Sequence, residues 1–188
     1  VGSGAACARS RAGSAEPVPG TPVTADIANR EGEHAYDVTW PWRDGPLRPG
    51  LTCVFRVKNE ARNLPWVLPP MFEAVQHVVL VDNGSDDGTP EVASRIAEEC
   101  GAGDRFTLLS YPFAVSRAGH EHLRTPPDSV HSLTHFYNWS FSQVRTAYSM
   151  KWDGDMVLTT EGDAALADLS WQLEGSGAVV LVPRHPVS

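Results

Sequence analysis

The sequence has no paired cysteines. Cys7, Cys53 and Cys100 stand alone, and none belongs to a Cys-x-x-Cys spacing. An odd count without paired spacing argues against a disulfide scaffold or a zinc ribbon, and the expectation is a reducing, cytoplasmic setting. Long apolar runs are missing too. Nothing approaches the roughly 20 residues of a membrane span, so no transmembrane segment is expected. The first residues also lack the apolar stretch of a signal peptide. Basic runs are absent: 15 Lys and Arg stand against 23 Asp and Glu, for a net charge of -8. Such a chain is a poor wrapper of nucleic acid, and no nucleic-acid partner is expected. No Gly-x-Gly-x-x-Gly follows any expected strand, which removes a dinucleotide-binding reading.

The chain's 188 residues, 41% of them hydrophobic, suffice for one domain with a proper core. Glycine and proline are unevenly spread. They make up 13 of the first 50 residues and 18 of the remaining 138. Residues 1–35, poor in large apolar side chains, are expected to form a flexible segment. Residues 36–50 differ, because Trp40 and Trp42 flank Pro41 and would pin this arm onto a domain surface. The domain itself is expected over residues 51–188.

Within it the pattern alternates. Leu51–Val57, His77–Val81, Arg105–Tyr111 and Met150–Trp152 read as short strands, with a last one at Ala178–Val182. Helices are expected from Asn63, with Pro69-Pro70 interrupting; from Thr89 as cap to about Cys100; over about Leu133–Tyr148; and over Glu161–Leu173. Between Pro112 and Ser132 lies a long loop. The alternation predicts an α/β fold with a mostly parallel sheet flanked by helices on both faces.

In such sheets ligands bind outside the carboxyl ends of the strands, and the polar clusters fall there. The first strand runs into Arg56-Val-Lys58-Asn59-Glu60, the second into Asp82-Asn83-Gly84-Ser85-Asp86-Asp87-Gly88-Thr89, and the fourth into Asp153-Gly154-Asp155. The second cluster reads equally as a tight turn with a helix start, since Asp, Asn and Gly are the usual turn residues. Asp82 is nevertheless placed to accept hydrogen bonds from a base or a ribose. Two carboxylates on one strand-end turn are costly unless solvated or bound to a cation, and hard oxygen ligands with open positions suit Mg²⁺ or Mn²⁺ on a diphosphate.

Taken in order, these pieces resemble the nucleotide-sugar-binding part of family 2 glycosyltransferases, of GT-A fold. The match lies at Asn59-Glu60, at Asp82, Gly84, Ser85, Asp87, Gly88 and Thr89, at Asn138 and Ala147, and at Asp153 and Asp155, spanning about Leu51 to Val182. The resemblance implies a glycosyltransferase, inverting in this family, that moves a sugar from a nucleotide-diphosphate donor to an unknown acceptor. It implies that Arg56, Asn59 and Glu60 line the nucleotide pocket and that Asp82 contacts base or ribose. Asn83, Ser85 and Asn138 count with the substrate-binding residues. Asp153 would lie near ribose and sugar, and Asp155, with Asp153, would hold the Mn²⁺ or Mg²⁺.

The family's catalytic base is an acid beyond a further strand, so the resemblance also implies a domain shortened at its C-terminus, with the base unassigned. A module that binds donor without turnover is one alternative. Another is a nucleotidyltransferase, disfavoured because its first loop would be glycine-rich and this one is not. His120-Glu-His122 and His131-x₃-His135 have metal-ligand spacings, yet read better as loop histidines near an anionic substrate. Trp139, Phe141 and Tyr148 read as core.

Overall fold

The computed structural model describes residues 25–175. Four parallel strands form one sheet: β1 (Arg48–Val57), β2 (His77–Asp82), β3 (Phe106–Ser110) and β4 (Thr146–Trp152). Their spatial order is β3-β2-β1-β4. The chain therefore steps outward from β1 to β2 to β3, then returns to the other side of β1. Crossovers between parallel strands are right-handed, so reversing direction moves the connecting helix to the opposite face.

That is the arrangement found. Helices α1 (Leu64–Ala74) and α2 (Thr89–Glu99) cover one face and are joined there by α5 (Thr160–Gly175). Odd-numbered β1 residues Leu51, Cys53, Phe55 and Val57 point into this side. The other face carries Val54, Val79 and Val81 against α4 (Leu133–Ser142), through Phe136 and Trp139. The sheet is thus flanked by helices on both faces. Each fully buried aliphatic side chain stabilises it by about 1.5–3 kcal/mol.

Several expectations need correction. Helix α1 runs straight through Pro69 and Pro70. Each proline removes a backbone donor at a cost of about 3 kcal/mol. The helix persists because Leu64, Val67, Leu68, Met71, Phe72 and Ala74 are all buried. Packing of an apolar face outweighs propensity. Thr89 is not the cap of α2. Gly88 holds that place with a positive φ of 85°, and Thr89 begins the helix. Helix α4 stops at Ser142 rather than Tyr148, because Thr146 already pairs with Arg48 at the start of β4. Tyr148 therefore belongs to a strand and packs, partly buried, on the α1–α2–α5 side. The long loop contains a short helix, α3 (His120–Arg124). The strand expected at Ala178–Val182 lies outside the described residues.

The described part of the segment read as flexible, residues 25–35, is tied to the domain. Ile27 bridges Val38, and the Glu31 carboxylate accepts from the Ser129 hydroxyl at 2.6 Å and from the Val130 N–H at 3.1 Å. The partners of Glu31 are polar and lie 98 and 99 residues away in sequence, which is why hydrophobic patterning along the chain misses them. Trp40 is buried and stacked on Trp42 at 4.7 Å, with Trp42 about half exposed. Among the described residues no helix is long and apolar enough to cross a membrane.

Candidate active site

Reversal of strand order puts the topological switch point between the carboxyl ends of β1 and β4, the place where open α/β sheets bind ligands in a crevice. The loop after β1 forms one wall and the Asp153-Gly154-Asp155 turn forms the other. They touch. A Cβ placed on Gly154 would lie 2.9 Å from Glu60 Cγ and 3.0 Å from Val57 Cγ1. Only glycine lets the turn come this close. Glu60 is oriented by the Asn63 side-chain amide, which donates to its carboxylate at 2.7 Å.

Arg56 sits on the even-numbered face of β1, beneath α4. Its guanidinium lies 3.6 Å from the centre of the Tyr137 ring and 5.5 Å from that of Phe141. Its Nη1 is buried without a hydrogen-bond partner. Burial pulls the guanidinium below its ordinary range, and the nearby Tyr137 and Asp153 pull it back. A cation kept on an aromatic shelf with a free donor is prepared for an anion. Asp153 pairs with Lys151 at 3.0 Å, whereas Asp155 is exposed.

Asp82 closes β2 beside Val57. One oxygen accepts the Gly84 and Ser85 N–H groups, both at 3.1 Å, and the other, Oδ1, is buried without a partner. An unsatisfied buried carboxylate oxygen is costly, so it calls for a donor from outside the chain.

The remaining residues of the loop after β2 work on the protein itself. Asn59, in the left-handed region at φ 60°, donates its backbone N–H to Ser85 Oγ at 2.8 Å and accepts from the Asp86 N–H at 2.9 Å. The Glu60 N–H donates to Thr89 Oγ1 at 2.8 Å, and the Ala61 N–H to Asp87 at 3.0 Å. The Thr89 hydroxyl donates to Asp87 in turn, and this bond, more than the backbone donors, holds the Asp87 carboxyl below the usual range. Asn83 donates its amide to the Tyr111 and Phe113 carbonyls, both at 2.8 Å, and so anchors the chain after β3 rather than facing the crevice.

Asn138 sits on α4. It lines an open cleft of about 370 Å³ with His122, Leu133, Thr134 and Tyr137. His122 Nδ1 is another buried atom without a partner. Tyr137 joins this cleft to Arg56. Sequence reasoning missed Tyr137 and Lys151. Strand parity offered the signal, since Arg56 alternates with the core residues Phe55 and Val57 and must face α4. The pair His131 and His135 holds the fold: His131 Nδ1 bonds the Ala114 carbonyl at 2.8 Å and His135 Nε2 the Tyr36 carbonyl at 2.7 Å. Cys53 is buried, which pushes its thiol well up and leaves it without nucleophilic use.

No family model and no curated protein matches the chain. Among solved structures it is similar to S. aureus TarS residues 1–349 in complex with UDP, at 15% identity and a TM-score of 0.40, over 62% of this chain and 31% of that one. A second structure of TarS 1–349 gives 13% identity and 0.42, over 65% and 32%. M. tuberculosis glucosyl-3-phosphoglycerate synthase gives 16% and 0.35, over 58% and 35%. The chain spans about a third of the length of these structures. Overlaps this partial leave the reading of the site to its own geometry.

Proposed function

We propose that the chain is the donor-binding part of a GT-A-like glycosyltransferase that takes a nucleotide-diphosphate sugar. The observation that carries this reading is the crevice between β1 and β4. At that end of the sheet the buried Arg56 cation has a donor without a partner and a charge contact with Asp153, Asp155 is exposed on the turn after β4, and Asp82 closes the neighbouring β2 with one oxygen unpartnered. A nucleotide diphosphate offers a match to each: N–H or hydroxyl donors for Asp82, phosphate oxygens for Arg56. Glu60, against the back of the turn, fixes its distance from β1.

The residues present fit a divalent cation of one kind. Among the described residues no three His, Cys, Asp or Glu side chains gather into a metal cage. Mg²⁺ and Mn²⁺ do not need one, because one or two carboxylates together with substrate phosphates and waters suffice. Asp155, exposed and, among the described residues, outside any ion pair, would hold the ion, with Asp153 second because Lys151 competes for it. Such an ion, when bound, neutralises charge building on the leaving diphosphate. The chain's own part is to bind the base and ribose side at Asp82 and to set the phosphates against Arg56.

Calorimetric titration of UDP and of GDP, with and without Mn²⁺, tests the reading. Binding of one nucleotide that strengthens with Mn²⁺ and weakens at least about tenfold in Asp82→Ala is expected. Absence of binding by both nucleotides would sink it. Release of free sugar from the matching donor separates an enzyme from a module that only binds.

A further inference from the structure

The amino end of the sheet, opposite the crevice, carries a second concave site. A pocket of about 420 Å³ opens there, lined by residues from the beginnings of all four strands. Arg48 opens β1, His77 opens β2, Arg105 precedes β3 and Arg145 precedes β4, and all four face the pocket. The cations come from far apart in sequence, so only the parallel sheet assembles them.

Two of the guanidiniums are held in place by neutral partners. Arg105 donates to the Phe72 carbonyl at 2.5 Å, and Arg145 donates to the Ser142 and Val144 carbonyls at 2.7 and 3.1 Å. Carbonyls orient a guanidinium without cancelling its charge, and each keeps further N–H groups free. Among the described residues, none of the three arginines forms an ion pair. Asp104 is the one carboxylate in the lining. His77 senses the resulting field. Burial, then Arg48 and then Arg105, push its imidazole down against the opposing Asp104. Its Nε2 bonds the Thr107 hydroxyl at 2.9 Å. A pocket with three cations and one anion on a chain of net charge -8 is an electrostatic exception that solvation alone does not call for.

We infer that this pocket binds a small organic phosphate, with Arg48, Arg105 and Arg145 around the phosphate. Guanidiniums match phosphate oxygens through paired donors. The pocket, at the size of small-ligand sites, exceeds a bare phosphate, and Thr107 and Gln143 supply polar groups for the organic remainder. The inference does not rest on the nucleotide reading, because the two sites lie at opposite ends of the strands.

The test is titration of glycerol 3-phosphate, without divalent metal, into the wild type, Arg48→Gln, Arg145→Gln and their double variant. Saturable binding is expected, about tenfold weaker for each guanidinium removed and unchanged in Asp155→Asn. Arg48 and Arg145 are exposed, so unchanged melting temperatures would show that the variants fold. Absence of binding to the wild type, or equal binding by the double variant, would overturn the inference. Vesicles containing phosphatidic acid form the second arm: binding to vesicles without binding to glycerol 3-phosphate would assign the arginines to a lipid surface and also overturn it.

Discussion

The turn after β2 and the turn after β4 are both rich in aspartate, and both lie at the carboxyl end of the sheet. In the first, Asp87 takes up the Thr89 hydroxyl and the N–H groups of Ala61 and Thr89, while one oxygen of Asp82 takes up two more N–H groups. Its only buried acceptor left without a partner is Asp82 Oδ1. In the second, Asp155 faces solvent and Asp153 meets one lysine. Composition does not separate these turns. Hydrogen-bond satisfaction does, because a carboxylate oxygen already engaged with backbone donors holds a loop, and an oxygen without them is free for a ligand.

The sharpest break between the two turns is expected from Asp155→Asn. Mn²⁺-dependent nucleotide affinity should fall about a hundredfold, near 2.7 kcal/mol, with no change in melting temperature. A melting-temperature loss with unaltered affinity would place Asp155 among the structural aspartates. Gly154→Ala comes next. The added methyl meets Glu60 and Val57 at about 3 Å, and overpacking of this kind costs about 1–3 kcal/mol, read by denaturant unfolding. Stability equal to wild type would mean that the crevice walls can move apart. Asn83→Ala should cost about 1–2 kcal/mol through the freed Tyr111 and Phe113 carbonyls. Metal-free nucleotide affinity should hardly change; a large loss there would return Asn83 to the binding surface.

The smallest effect concerns pH. The Asp87 carboxyl is held below its ordinary value in the folded chain, so its contribution to stability is present above the unfolded carboxylate range, near about 4. It is lost as pH falls through the lower folded value. The melting-temperature gap between wild type and Asp87→Asn should therefore narrow below about pH 4. A gap constant down to pH 2 would contradict the assignment.

The parallel sheet and its polar ends were legible because β1 and β2 are short apolar runs and the turn residues punctuate them. The register of α4 and β4 was not. Thr146–Trp152 alternates, but the aromatic residues before it extend a helical pattern, and only pairing with β1 ends the helix. Within the candidate site, Asp82 and Asp155 are the residues that position alone proposes. Asn59, Ser85 and Asn83 could not be sorted, since the same residue types serve a ligand or a neighbouring loop, and the choice depends on contacts about 25 residues apart. The pocket of arginines escaped notice for the same reason. Arg48, Arg105 and Arg145 form no run, and the net charge points the other way.

The bonds from Asn59, Glu60 and Ala61 to Ser85, Asp86, Asp87 and Thr89 rivet two loops into one plate. Four hydrogen bonds hold that plate together, and none of them reaches the turn after β4. The segment from Asp153 to Thr159 is held near its own ends: by the Asp153–Lys151 ion pair, the Met156 N–H to the Asp153 carbonyl, the Trp152 indole to the Met156 carbonyl, and the Gly162 and Asp163 N–H groups to Thr159. A ligand taken at the proposed site would therefore meet a cross-bonded β1–β2 side, with the aspartates of the turn after β4 on the side that shares none of those bonds.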